Sequence, residues 1–130
     1  MCKEIQMKKY TFLVALLLCF SSHVFAENGI LVPTQNPKAP FRLFHTNNIY
    51  TLLKLDTRTG QIWQVQWGSS SERFTVPLDD EVIVTNGKPG RFTLHPTKNI
   101  FTFVLIDQES GNTWHVQWGD KGERFRYPIK

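Results

Sequence analysis

Residues 62–74, IWQVQWGSSSERF, return 51 positions later as TWHVQWGDKGERF, residues 113–125. Extended in both directions, Asn48–Leu78 aligns with Asn99–Ile129 without a gap and with 14 identities in 31 positions. Asp56/Asp107, Gly60/Gly111, Trp63/Trp114, Trp67/Trp118, Arg73/Arg124 and Pro77/Pro128 are among them. Self-similarity at a fixed period marks a structural unit built more than once. The chain is expected to be a tandem duplication, with repeats over 41–78 and 90–129 joined by a connector over 79–89. Both halves must then satisfy the same local architecture.

That architecture is β. Each unit alternates apolar and polar residues, is rich in β-branched and aromatic side chains, and has no window of convincing helical period. DTRTGQ and DQESGN read as tight hairpin connections: the Asp carboxylate accepts from turn amides, and Gly supplies the left-handed conformation near the end. The structural roles of Asp56, Asp107, Gly60 and Gly111 follow from this. A four-residue loop pairs Asp56 with Gln61 and Asp107 with Asn112. Lys54 then faces Trp63, Leu52 faces Val65 and Tyr50 faces Trp67; in the second unit Leu105 faces Trp114, Phe103 faces Val116 and Phe101 faces Trp118.

One face of each hairpin is thus almost wholly apolar, and the reverse face carries Gln64 and Gln66 or His115 and Gln117. A lone hairpin is marginal in water, so the two tryptophan faces are expected to pack against each other, burying Trp63, Trp67, Trp114 and Trp118. Each aromatic ring removes roughly 150–250 Å² from water. FRLFH and RFTLH before the hairpins and ERFTVPL and ERFRYPI after them supply further strands. The fold class expected is all-β, about eight strands, as a pseudo-twofold sandwich or a small closed barrel. DDEVIVTNGKPG reads as a short strand followed by turns, and residues 27–40 as an irregular lead-in.

The first 26 residues read as an export signal: Lys8 and Lys9, an apolar run from Phe12 to Phe20, then Val24-Phe25-Ala26 as a cleavage site. The apolar run is too short for a membrane span, which needs about 20 residues. Met7 is a second candidate start. Cleavage after Ala26 would remove Cys2 and Cys19, excluding disulfides, thiolate metal sites and cysteine nucleophiles from the 104 residues that follow. It would also remove three lysines and Glu4, lowering the formal charge from +4 to +2. Such a balance gives no reason to expect nucleic acid or an anionic membrane as partner.

No motif in the remainder announces catalysis or a cofactor, and none is expected. His45 and His95 precede the two hairpins at nearly matching places, but no close His or Cys spacing suggests zinc. The serines of GSSSERF lack a glycine-flanked elbow and a neighbouring His–carboxylate pair. Asp79-Asp80-Glu81 lacks the spaced oxygen ligands of a calcium loop. The candidate binding residues lie instead where the copies differ: His115 in place of Gln64, with Gln117 beside it, Asp120 and Lys121 in place of Ser69 and Ser70, and Arg126 in place of Thr75. Identities mark what the fold needs twice, and loops on a rigid scaffold are where binding residues concentrate.

The stretch PTKNIFTFVLIDQESGNTWHVQWG, with the pattern Thr-x-Asn-Ile-aromatic and Asp-x-x-Thr/Ser-Gly-x-x-Trp-x-Val-Gln-Trp, resembles a phrase in small exported tandem-repeat proteins of bacteria. The likeness covers Phe41–Lys130; it implies export and a tandem fold, and no activity. LDTRTGQIW is similar to the Asp-x-x-Thr-Gly-x-x-Trp turn in blades of β-propellers, quinoprotein dehydrogenases included, which reflects shared hairpin chemistry and implies no cofactor. Two units cannot close a propeller, which needs about four blades or more.

The function expected is that of an exported, non-catalytic protein, periplasmic or secreted, which binds another protein as an inhibitor or immunity factor does, through the unlike loops. Two alternatives stand beside it: a carbohydrate-binding module using an exposed tryptophan, and a small enzyme whose site is assembled from distant residues.

Overall fold

The computed structural model describes residues 34–130. The export signal read over residues 1–26 and the lead-in up to residue 33 lie outside the described residues. Those described form eight strands and no helix. β1 (Phe41–His45), β2 (Thr51–Asp56), β3 (Ile62–Gln66) and β4 (Phe74–Pro77) make one antiparallel sheet in sequential order. β5 (Phe92–Pro96), β6 (Thr102–Asp107), β7 (Thr113–Gln117) and β8 (Phe125–Ile129) make a second with the same order. The architecture is an all-β sandwich of two meanders rather than a closed barrel.

The hairpin register is the one the turn chemistry dictates. Asp56 N–H donates to Gln61 O at 2.9 Å, and Asp107 N–H donates to Asn112 O at 2.9 Å. Leu52 pairs with Val65 and Lys54 with Trp63, as Phe103 pairs with Val116 and Leu105 with Trp114. Asp56 Oδ1 accepts from Arg58 N–H at 2.9 Å and Asp107 Oδ1 from Glu109 N–H at 3.0 Å, while Gly60 and Gly111 take φ of +79° and +78°. The Thr-x-Asn-Ile-aromatic phrase forms the preceding loops: Asn48 Oδ1 accepts from Tyr50 N–H at 2.8 Å and Asn99 Oδ1 from Phe101 N–H at 2.9 Å. These side-chain-to-backbone bonds fix a short connection without help from the rest of the fold.

Packing departs from expectation in one decisive respect: the two tryptophan faces do not meet. In the second sheet Phe103, Leu105, Val116 and Trp118 are buried, as anticipated. In the first sheet the buried residues are Leu53, Leu55, Ile62 and Gln64, which lie on the reverse face. The reverse face of the first sheet therefore covers the tryptophan face of the second, and the sheets are stacked in the same sense. The residues explain the choice. Lys54 stands in the middle of the first tryptophan face where Leu105 stands in the second, and burying an unpaired ammonium costs far more than a leucine returns. The reverse face of the first sheet offers Leu53, Leu55 and Ile62, against Val104, Ile106 and Thr113 in the second.

The connector closes one end of this interface. Residues 79–89 contain no strand, contrary to expectation. Their amides instead use the β2–β3 turn, Ile83 N–H donating to Thr59 O at 2.9 Å and Val84 N–H to the same oxygen at 3.3 Å. A Cβ on Gly60 would stand 2.7 Å from Ile83 Cδ1 and 3.1 Å from Phe92 Cε1, whereas one on Gly111 would meet nothing within 4 Å. Both positions carry the left-handed penalty of about 1–2 kcal/mol for an L side chain. Gly60→Ala is expected to lose about 1–3 kcal/mol more than Gly111→Ala through overpacking, a difference that urea midpoints of the two variants would measure.

Candidate functional site

Alternation along the strands leaves the tryptophan face of the first sheet on the outside. Trp67 is 51% exposed and its counterpart Trp118 only 6%. Phe41, Leu43 and Tyr50 are exposed beside it, with Trp63 and Val65 half-buried between them. The side chains are organised: Tyr50 meets Trp67 edge-on with ring centres 5.3 Å apart, Phe41 lies 6.4 Å from Trp63, and Lys54 Nζ sits 4.5 Å above the Trp63 ring. Cation–π contact lets the lysine cross the face without being buried. Scattered surface hydrophobes need no explanation; a contiguous apolar face does.

The other candidates fall into two groups. His115 is exposed and Gln117 half-buried on the reverse face of the second sheet, which is also turned outward. His115 packs edge-on against Phe125 with centres 4.9 Å apart, and Gln117 Nε2 donates to Glu123 O at 3.0 Å. Asp120 and Lys121 are exposed in the loop after β7. These four thus belong to one side and one end of the second sheet.

Arg126 does not join them. It faces inward, with its side chain 4% exposed. Nη1 donates to Gly60 O at 2.8 Å, Nη2 to Glu81 O at 2.9 Å, and Nε pairs with Asp79 at 2.9 Å. Its role is to fasten the connector and the β2–β3 turn to the second sheet. Burial pushes the Asp79 carboxyl up, against the pull of the Arg126 cation, and the same burial pushes the guanidinium down. Arg126→Met keeps the stem but leaves two carbonyls and a carboxylate without their donor. It is expected to lose about 2 kcal/mol, a typical cost of orphaned buried acceptors, which thermal melting would register.

Gln64 is another polar group buried between the sheets. Its Oε1 accepts from Gly119 N–H at 3.1 Å and from Arg124 Nε at 3.0 Å, so the oxygen of a buried amide is satisfied across the sheets. The unlike pair Gln64/His115 therefore differs because one copy faces inward and the other outward.

His45 and His95 are not equivalent: at the constant offset His45 matches Pro96 and Phe44 matches His95, so the two imidazoles lie on opposite faces of their sheets. Among the described residues no three His, Cys, Asp or Glu side chains gather to hold a metal ion. The outward tryptophan face carries His45, Lys54 and Thr75 among its apolar residues, and at its margin Arg58, paired with Asp56, lies over the Phe41 ring. What such a face does well is exclude water against a complementary surface.

Phe41, Leu43 and Tyr50 were absent from the candidate set because the sequence reading assigned their face to the core. The available signal was Lys54, a charge at the centre of an otherwise apolar face. In comparisons with family models, curated proteins and solved structures, the chain matches none.

Proposed function

We propose that the protein is an exported, non-catalytic binding protein whose partner is another protein, engaged through the outward tryptophan face of the first sheet. The observation that carries this reading is the contrast between twins: Trp67 is 51% exposed where Trp118 is 6% exposed, in the same local sequence. Trp and Tyr are the residues enriched in the centres of protein interfaces, and a half-buried lysine laid over an indole suits an interface better than a core. The loop residues Asp120 and Lys121 and the pair His115 and Gln117 are accessory to it, since they lie on the second sheet.

Trp67 beside Tyr50 also supports a second reading, a platform on which a sugar ring stacks. Comparing the protein with its Trp67→Glu variant separates the two. On the protein reading, a stoichiometric protein retained by the wild type is released by Trp67→Glu, and soluble glycans leave indole emission unchanged. Glycan-dependent quenching that disappears in Trp67→Phe would replace the proposal with the carbohydrate reading. Retention that Trp67→Glu leaves unaltered would remove this face from either role.

A further inference from the structure

The internal junction of this chain is made from two unlike surfaces, the reverse face of one sheet and the tryptophan face of the next. Each sheet possesses both. Inside the chain the first sheet uses its reverse face and the second its tryptophan face, so the pair left outside is again one of each kind. The spare tryptophan face repeats the buried one at Phe41/Phe92, Leu43/Leu94, Trp63/Trp114, Val65/Val116 and Trp67/Trp118. The spare reverse face keeps apolar residues at Val104/Leu53, Ile106/Leu55, Phe125/Phe74 and Tyr127/Val76, and carries Thr113 and His95 where the buried one has Ile62 and Phe44. The chain thus displays on its two sides the two halves of a contact it already makes in its middle.

We infer that the protein assembles head to tail with copies of itself, the tryptophan face of one copy's first sheet docking on the outward face of the next copy's second sheet, and that the assembly closes into a ring of radiating sheets. This names the partner for the surface proposed above and rests on reading that surface as protein-binding.

Closure follows from the shape of the junction. The sheet backbones approach most closely where β2 faces β5. There Phe92 N–H donates to Thr57 O at 2.9 Å and Gly90 N–H to Thr57 Oγ1 at 2.9 Å. Towards β3 and β8 the separation is bridged by long side chains, Gln64, Arg124 and Arg126. The closest approach thus lies off centre, at the second strand of one sheet and the edge strand of the other; an off-centre approach inclines one sheet to the next, and a repeated inclination is a rotation. A head-to-tail contact whose rotation closes gives a ring. Rings of four-stranded sheets hold roughly four to eight of them; a chain that supplies two at a time closes with two, three or four copies.

The atoms needed at the second junction are present. His115 occupies the place of Gln64, and Gly68 and Arg73 occupy the places of Gly119 and Arg124, the donors that Gln64 accepts from. A neutral imidazole has one acceptor nitrogen to offer Gly68 N–H. Lys54 stands where the internal junction has a buried leucine; docking would cover its ammonium only as a cation–π pair over the Trp63 ring, which makes the second junction weaker than the internal one and its assembly dependent on concentration.

Two interface variants test the geometry as well as the existence of the assembly. Trp67→Glu spoils the tryptophan face and leaves the other intact; Val104→Glu does the reverse. Both positions are outside the monomer core, and circular dichroism checks that each variant is folded. Native mass spectrometry and sedimentation velocity over a dilution series should find one discrete species of two, three or four copies for wild type and monomers for each variant. An equimolar mixture of the variants should give a two-copy species, since one intact junction remains between them.

A wild type that stays monomeric at every concentration overturns the inference, as does a dimer that survives Val104→Glu, which would be symmetric, or an open-ended distribution of sizes. A monomer that still captures a different protein through Trp67 would overturn the self-assembly alone. Failure of Trp67→Glu to affect any capture would remove the reading of the face as well.

Discussion

Trp118→Ala is expected to lower the stability of the single chain by about 3–5 kcal/mol, the usual range for deleting a large buried aromatic, and Trp67→Ala by less than about 1 kcal/mol, as for most surface changes. The two tryptophans sit in the same tetrapeptide, Val-Gln-Trp-Gly, and local propensity cannot separate them. Their surroundings do. Trp118 is 6% exposed, its ring centre lies 5.0 Å from that of Phe101, and its Nε1 donates to Ile100 O at 3.1 Å. Removing it leaves a cavity and an unpaired carbonyl; removing Trp67 uncovers one edge of Tyr50. The comparison belongs in a Val104→Glu background, where neighbouring copies cannot stabilise Trp67. Equal shifts in the urea midpoints would mean that both tryptophan faces are buried alike and that the stacking sense described here is wrong.

The strand pairing was legible in the sequence because the information for it is local. An Asp whose carboxylate caps the turn and a Gly at positive φ four residues later leave one loop length open, and loop length fixes the register. From there, which residues share a face is a matter of parity. The choice of face to bury is different in kind, since it depends on what each sheet finds opposite it. Reading each unit alone gave the larger aromatic face to the core in both copies. In the first sheet that was wrong, because Leu53, Leu55 and Ile62 form a smoother alternative and Lys54 weakens the tryptophan face.

The candidate site was less legible for the same reason. Read from the sequence alone, unlike positions in the two copies mark freedom to specialise for binding. In a head-to-tail stack they also arise because the copies occupy different places. Arg126 differs from Thr75 since one faces the connector and the other faces outward; Gln64 differs from His115 since one accepts from Gly119 and Arg124 across a buried junction. Even the invariant pair Gly60 and Gly111 is divided in this way, one packed against Ile83 and Phe92 and one free of contact. Three of the residues now placed in the interaction surface, Phe41, Leu43 and Trp67, have twins identical to them in sequence and unlike them in exposure.

Asp107→Ala is expected to cost about 3 kcal/mol, the lower part of the range for removing one member of a buried ion pair, and Asp107→Asn to change how stability depends on pH. The Asp107 side chain is 3% exposed, and Arg91 engages it as a fork, Nε to Oδ1 at 3.0 Å and Nη2 to Oδ2 at 2.8 Å. Ser110 Oγ donates to the same carboxylate at 2.7 Å, and the amides of Glu109 and Ser110 at 3.0 and 3.3 Å. The arginine fork first, with the hydroxyl and amides, outweighs burial and holds the carboxyl far below its ordinary range. A folded-state pKa below the unfolded value, about 3.9 for Asp, gives stability that is fully present above the unfolded value and is lost as pH falls through the folded one. Asp56 acts in the same direction: burial raises its pKa, but the hydrogen bonds and charge of Arg58 and the turn amides outweigh that and lower it. Asp79, raised by burial against the pull of Arg126, acts oppositely, so its protonation offsets part of the loss. Wild-type stability should therefore decline steadily below about pH 5. Asp107→Asn should begin lower at neutral pH and decline less steeply, because the group that titrates is gone while its shape remains. Urea unfolding of both proteins at stepped pH measures the slopes, and curves that run parallel through the acid range would show that the Arg91–Asp107 pair does not govern acid stability.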